Sequence, residues 1–476
     1  MHDKILRLIE NTGWMTISNF GSKILIFLLV PFYTRVLSTE DYGYYDLVYT
    51  AIVLCSPFIT ASIAEAVMRF TLIDESDASV AFSGGLFVSC FGIIVAVLSG
   101  LIVWFSIPID DLYKVFYEFA VLMFSTDALY ALLSRFTRSL NEMKCMAFGS
   151  LLQAASLLIF SVLLLIPLKL GVCGYFLATA LANASAALYM FTKIRAWRYI
   201  KHVNMAYTFE MIRYGMPLGV NTAGWWTTNV LGRYAVAFFI GVSGTGLLAA
   251  AYKIPSIPKV IQQVFIQAWQ ISAIQEFGDE DSPEFFSKIY NTMCLASSVL
   301  TSGIICIIPL IALLMFSESF YDAWKLVPLL MVGVVFDCLA SIVGGVFSAA
   351  GNSKPLASSA LVSVVVAALV CLVFVPTIGT YGAVISSALA SFAIWAMRLL
   401  QSRKYMTFAI KWRQNLCCFA VLLAQIGLAS YIEISWFWFV PQIILFVILF
   451  LMFARAINLG DLTKRVAAKI RNKDKD

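Results

Sequence analysis

Apolar runs about 20 residues long, the length a helix needs to cross a bilayer, recur along this chain to its end with only short polar stretches between them. In hydrocarbon every backbone N–H and C=O must be satisfied internally, so such runs have to be helices or barrel strands, and runs this long are helices. Fourteen spans are expected, near residues 14–36, 44–66, 80–106, 116–137, 146–167, 172–194, 210–239, 246–274, 288–316, 326–350, 356–375, 382–402, 412–431 and 436–457. The composition agrees: 61% of residues are hydrophobic and 13% charged, with a mean hydropathy of +0.88, against about 25% charged in a soluble domain. The chain is therefore expected to be an all-α polytopic membrane protein. The opening MHDKILRLIENTGW lacks a small-residue cleavage site after a short apolar core, so the first span is expected to stay in place.

Several chemistries are disfavoured. The ten cysteines lie mostly inside apolar runs, form no CxxC or Cys/His cluster, and read as small packing residues. The only histidines, His2 and His202, sit in polar flanking segments, which argues against histidine catalysis or a histidine metal site. No outside loop is long enough for an enzyme's catalytic segment, and neither an enzymatic cofactor nor a nucleic-acid partner is expected.

The span count can be tested against charge, because cytoplasmic loops retain Lys and Arg. With the N-terminus inside, 25 of the 33 basic residues fall in inside segments and only Arg35, Lys114, Lys169 and Lys325 fall outside. That alternation supports fourteen spans with both termini cytoplasmic in a cell membrane. Four bases remain within the membrane: Lys23, Arg233, Lys253 and Lys259.

An internal repeat organises the spans. DALYALLSRFTRSLNEMK, from Asp127, matches DCLASIVGGVFSAAGNSK, from Asp337, at a constant offset of 210, and Gly43 and Tyr49 match Gly246 and Tyr252 at an offset of 203. The repeat unit is six helices of the same orientation. Two such bundles around a central cavity are a recurring transporter plan. The expected division is a bundle over 1–200, a second over 201–405, two further helices over 406–458, and a basic amphipathic tail over 459–476 lying on the anionic inner leaflet.

A charge in hydrocarbon is costly and is retained where it works or is paired. Lys23 lies too deep to snorkel, about 14 Å along its helix against a reach of about 6 Å. It continues a polar stripe with Thr12, Thr16 and Asn19 that points to a hydrated cavity, an ion pair being the alternative. Span 7 carries Asn221, Trp225, Asn229 and Arg233 four apart, and span 8 carries Tyr252, Ser256, Lys259, Gln263, Gln267 and Gln270, with Lys253 beside that stripe. Tyr42, Tyr45 and Tyr49 form a row in span 2 that an interfacial aromatic belt would also explain. Asp127 and Asp337 are candidates either to pair with the buried bases or to bind a coupling H+ or Na+. Arg35 and Asp46 near the outer end, and Glu65 near the inner end, are candidate gates, with surface pairs the alternative. Four deep bases against two acids leave an excess of two positive charges, which favours an anionic cargo.

The opening GWMTISNFGSKILIFLLVPFYTRVLSTEDYGYYDL, with its polar first span and the turn EDYGYY, the motif AAYKIPSIP in span 8 and the turn AAGNSK after span 10 resemble the polysaccharide exporters. These are the Wzx-like flippases of lipid-linked oligosaccharides in the multidrug/oligosaccharidyl-lipid/polysaccharide (MOP) superfamily. The resemblance implies a MATE-like pair of six-helix bundles with a cationic cavity that opens alternately to each side, and a polyprenyl-diphosphate glycan as substrate among membrane lipids. Polysaccharide polymerase and chain-length machinery are the implied partners. Lys23, Arg233, Lys253 and Lys259 would then engage the diphosphate, with Asn19, Asn229, Tyr49, Tyr252 and Trp225 toward the glycan. A lipid II flippase and a cation-coupled multidrug exporter are rivals of the same fold, though the first span has no carboxylate of the kind such an exporter uses.

Overall fold

The computed structural model describes residues 20–73, 78–106, 111–352, 354–431 and 436–457. Asn19 and the tail 459–476 lie outside the described residues, and Trp225 and Asn229 are described only as backbone positions. Among the described residues the regular structure is helical: α1 (20–28), α2 (Val30–Val36), α3 (Thr39–Ile59), α4 (Ile63–Ile73), α5 (Ala78–Ser106), α6 (Asp111–Ser139), α7 (Met143–Leu165), α8 (Gly171–Lys193), α9 (Met205–Phe239), α10 (Val242–Gln275), α11 (Ser282–Met315), α12 (Val327–Ala349), α13 (Lys354–Ile378), α14 (Thr380–Ser402), α15 (Trp412–Tyr431) and α16 (Trp436–Ile457). Two short 3-10 segments, Ala196–Tyr199 and Glu318–Leu326, complete them.

Nine of these helices, among the described residues, are long and apolar enough to cross a membrane, and the bent pair α3–α4 makes a tenth. The other four expected spans fall on α1–α2, α9, α10 and α15. In α9 and α10 the expected polar stripes dilute the apolar character. The protein is a multi-pass membrane protein.

Span 2 departs from the expected single helix. Ala61 and Ser62 adopt left-handed backbone at φ 51° and 49°, and α4 leaves at 52° to α3. Pro57 supplies part of the reason, since it removes a helical donor inside α3. Its carbonyl then accepts from the Ser62 N–H at 2.9 Å, closing the end of the helix.

The repeat is visible in backbone hydrogen bonds. After α6, Asn141 is left-handed at φ 64°, its N–H bonds to the Arg138 carbonyl, and that of Glu142 reaches back to Thr137. After α12, Gly351 at φ 67° bonds to Ser348 and Asn352 reaches back to Phe347. Every partner is displaced by 210 positions, so the two turns close with the same left-handed cap.

The contacts divide the chain into two units: residues 1–230 with 241–249, and residues 231–240 with 250–476. The division runs through α9 and α10. In the first unit the core gathers Ile63, Val67, Phe82, Phe136 and Met190, with Phe82 stacked on Phe136 at 4.4 Å. The same unit holds a close helix crossing. Ser38 and Asp41 form a capping box that starts α3, and Thr39 Oγ1 lies 2.8 Å from Ser243 Oγ. A Cβ at Gly43 would overlap the Val242 carbonyl oxygen, and one at Gly246 the Thr39 carbonyl oxygen. The two glycines that align in the repeat thus meet, each allowing the other helix's backbone to approach.

In the second unit α12 is the most enclosed helix and packs against α14, while α11 is flanked by α15 and α16. Gln425 Nε2 donates to the Gln442 carbonyl at 3.3 Å and Gln442 Nε2 to the Gln425 carbonyl at 3.0 Å. These reciprocal buried bonds join the last two helices, the use of polar side chains expected where apolar contact alone does not distinguish a helix from lipid.

Candidate functional site

Four of the charges expected at membrane depth, Arg233, Lys253, Lys259 and Asp337, lie on α9, α10 and α12 in the second unit. Arg233 lies over the Tyr252 ring, 4.8 Å from its centre, a geometry that holds a guanidinium against an aromatic face at little desolvation cost. Two turns along α10, Lys259 Nζ is 3.0 Å from Asp337 Oδ2. α10 stays helical through Pro255 and Pro258, and the Ser256 hydroxyl donates to the Lys253 carbonyl. Lys253 is half-buried, whereas Gln263 is exposed. Three bases, Arg233, Lys253 and Lys259, therefore share this part of the unit with one carboxylate, Asp337.

The Lys259–Asp337 pair is accessible, with 45% and 37% of the two side chains uncovered.

Arg398 belongs by the charge count to the 25 inside basic residues, yet it lies within the helix that forms the expected span 382–402. Arg398 is 3% exposed within α14. Its Nε donates to Ser359 Oγ and its Nη1 to the Ala340 carbonyl, both at 3.0 Å, and its guanidinium interacts electrostatically with Asp337. Gly344 opposite leaves the room it occupies. The only sequence signal was its position four residues inside the end of an expected span. Arg398→Ala should destabilise the protein by about 2–3 kcal/mol through lost stem packing and two charge-assisted bonds, and Arg398→Met by less. Thermal unfolding of the detergent-solubilised variants checks the order.

Lys23, Arg35, Asp46, Tyr49, Glu65 and Asp127 belong to the first unit. Lys23 is exposed on α1 and Tyr49 is 41% exposed on α3. Glu65 receives Arg135 Nη2 at 2.8 Å, which joins α4 to α6. Arg35 Nη1 donates to the Pro31 carbonyl at 3.4 Å, and Asp46 is buried on α3. Asp127 is half-buried on α6. Tyr42 and Tyr45 do not form an interfacial belt. They are buried, with Tyr33 stacked on Tyr42 at 4.5 Å and Tyr175 of α8 4.3 Å from Tyr45. The tyrosine row packs α3 against α8 and leaves only Tyr49 open, because Tyr175, remote in sequence, covers the other two.

Solved structures share this architecture. Lipid II flippase MurJ, in an inward closed conformation, matches 96% of this chain and 100% of its own with a TM-score of 0.71 at 14% identity. A multidrug resistance MATE family transporter of the MOP superfamily, in an inward-facing conformation, matches 82% of this chain and 94% of its own, with a TM-score of 0.63 at 14% identity. A MOP superfamily transporter from Pyrococcus furiosus, reported for the reverse polarity of its binding pocket, matches 84% and 93% with a TM-score of 0.53 at 15% identity. The chain has the fold of the MOP superfamily membrane transporters. A family model described as polysaccharide biosynthesis protein matches residues 8–270, more than half of the chain. The chain belongs to that family. A comparison with curated proteins finds no match.

Proposed function

We propose that this protein is a flippase that moves a polyprenyl-diphosphate-linked oligosaccharide, the repeat unit of an O-antigen, capsule or exopolysaccharide, from the cytoplasmic to the outer leaflet by alternating access. Such a cargo has an anionic head, a polar glycan and an apolar tail, so its carrier needs basic polar surface inside a membrane fold. The observation that carries the reading is the excess of base on α9 and α10 of the second unit: Arg233 on Tyr252, Lys253, and Lys259 on an accessible Asp337. Membership in a polysaccharide biosynthesis family points to the same cargo class.

In this reading Arg233, Lys253 and Lys259 bind the diphosphate, and Lys23 on α1 is a candidate for the same role in its own unit. The diphosphate takes the place of Asp337 at Lys259, and the released carboxylate, or Asp127, binds the coupling H+ or Na+. Tyr49 and Tyr252 offer aromatic faces to sugar rings, and Trp225, Asn19 and Asn229 are candidates for the glycan by their place in the expected polar stripes of the sequence. Both termini are cytoplasmic and the membrane is the inner or plasma membrane. Lipid II is also a polyprenyl-diphosphate sugar, and the likeness to a lipid II flippase makes it the second reading. One experiment separates them: deletion of the gene followed by analysis of the lipid-linked intermediates that accumulate. Accumulated oligosaccharide repeat units support the proposal, accumulated lipid II supports the second reading, and no accumulation contradicts both.

A further inference from the structure

The connection between α14 and α15 builds a small basic pocket. Directly after α14 the chain turns tightly, with the N–H groups of Tyr405 and Met406 both bonded to the Ser402 carbonyl at 2.9 Å. The Tyr405 hydroxyl accepts from Asn352 Nδ2 at 2.7 Å, and its ring lies edge-on to Phe347. Phe408 then packs on Tyr290 at 5.6 Å. Asn291 of α11, 4% exposed, clamps the far end: its Nδ2 donates to the Ala409 carbonyl at 3.0 Å and its Oδ1 accepts from the Lys411 N–H at 2.9 Å. A segment without helix is thus fixed at four points, and its shape is set by the fold.

The segment lines an open pocket of about 330 Å³. Arg403 and Thr407 give it a basic and a hydroxyl group, and Leu399, Met406, Ile410 and Trp412 give it apolar walls. Residues 403–413 contain Arg403, Lys404, Lys411 and Arg413 and no acidic residue. All four bases are exposed, as is Trp412 at 43%. One turn into α15, Leu416 is 58% exposed and continues the apolar surface from Trp412. The charge alternation assigns this end of the helices to the cytoplasmic face.

We propose that this pocket binds the headgroup of an anionic phospholipid of the inner leaflet, with the phosphate on Arg403 and Thr407 and an acyl chain along Trp412 and Leu416. A basic patch free of acid selects negative charge. A tryptophan at interfacial depth followed by open leucine selects a lipid over a soluble anion. The bound lipid would hold the α14–α15 connection, which joins the second six-helix repeat to the two helices beyond it.

The test is native mass spectrometry of the full-length protein in detergent, titrated with phosphatidylglycerol or phosphatidylcholine. Wild type should retain phosphatidylglycerol at least tenfold better than phosphatidylcholine. Arg403→Gln with Lys411→Gln should remove that preference, whereas Arg198→Gln with Lys201→Gln, an equal loss of charge on another inside connection, should leave it unchanged. Phosphatidylglycerol with brominated chains should quench wild-type fluorescence more than that of Trp412→Phe. Equal retention of the two lipids by wild type, an equal fall in both double variants, or displacement of phosphatidylglycerol by excess inorganic phosphate would each overturn the proposal.

Discussion

Lys253→Ala is expected to lower export of the lipid-linked glycan at least tenfold while the protein stays in the membrane at its normal level, and Lys23→Ala is expected to do the same. A charge-assisted bond from an ammonium group to a phosphate contributes about 1.5–3 kcal/mol, and each 1.4 kcal/mol is about tenfold in binding. Lys253 stands one residue from Tyr252, the ring that carries Arg233, so its loss removes charge from the middle of the basic group. Lys253→Arg keeps the charge and should retain most activity. Asp337→Asn is informative beside them. It frees Lys259, whose ion pair is the one removed, and in the proposed mechanism it weakens the dependence on the coupling ion more than it weakens cargo binding. Export can be followed as surface glycan against membrane-fraction protein, and normal export from both Lys23→Ala and Lys253→Ala would sink the assignment.

Gly246→Val is expected to be the most destabilising single change outside the charged group. The added Cβ falls on the Thr39 carbonyl oxygen, and backbone cannot rotate away as a side chain can. Overpacking costs about 1–3 kcal/mol where side chains can yield, so about 3 kcal/mol or more is expected here. Gly43→Val meets the Val242 carbonyl and should behave alike. Gly427→Ala is the control, since a Cβ there has nothing within 4 Å. Fluorescence-detected size exclusion after heating would show the first two variants collapsing well below wild type and the third unchanged. Equal behaviour of all three would contradict the crossing.

Much of this fold was legible because hydropathy and charge are local signals. Each of the fourteen apolar runs corresponds to a helix or helix pair, and the match of Asp127–Lys144 to Asp337–Lys354 reappears as two identical turns at Asn141 and Gly351. The break at Ala61 and Ser62 was not legible, since neither residue favours left-handed backbone by itself. Nor was the burial of Tyr42 and Tyr45, which depends on Tyr175 more than a hundred residues away. Periodicity placed Lys259 on a polar face, but only the tertiary structure set its ammonium against Asp337 and gave the buried Arg398 its partners Ser359 and Ala340. Helical spacing tells which face a group occupies; what it meets there depends on residues remote in sequence.

The most direct test of the account is transport by the purified protein in liposomes loaded with a polyprenyl-diphosphate oligosaccharide, read as the fraction of glycan that becomes accessible to an impermeant sugar-modifying enzyme. Wild type should move the lipid across the bilayer, and Lys253→Ala, incorporated equally, should move it at least tenfold more slowly. Movement no faster than in protein-free liposomes, or equal movement by wild type and Lys253→Ala, would contradict it.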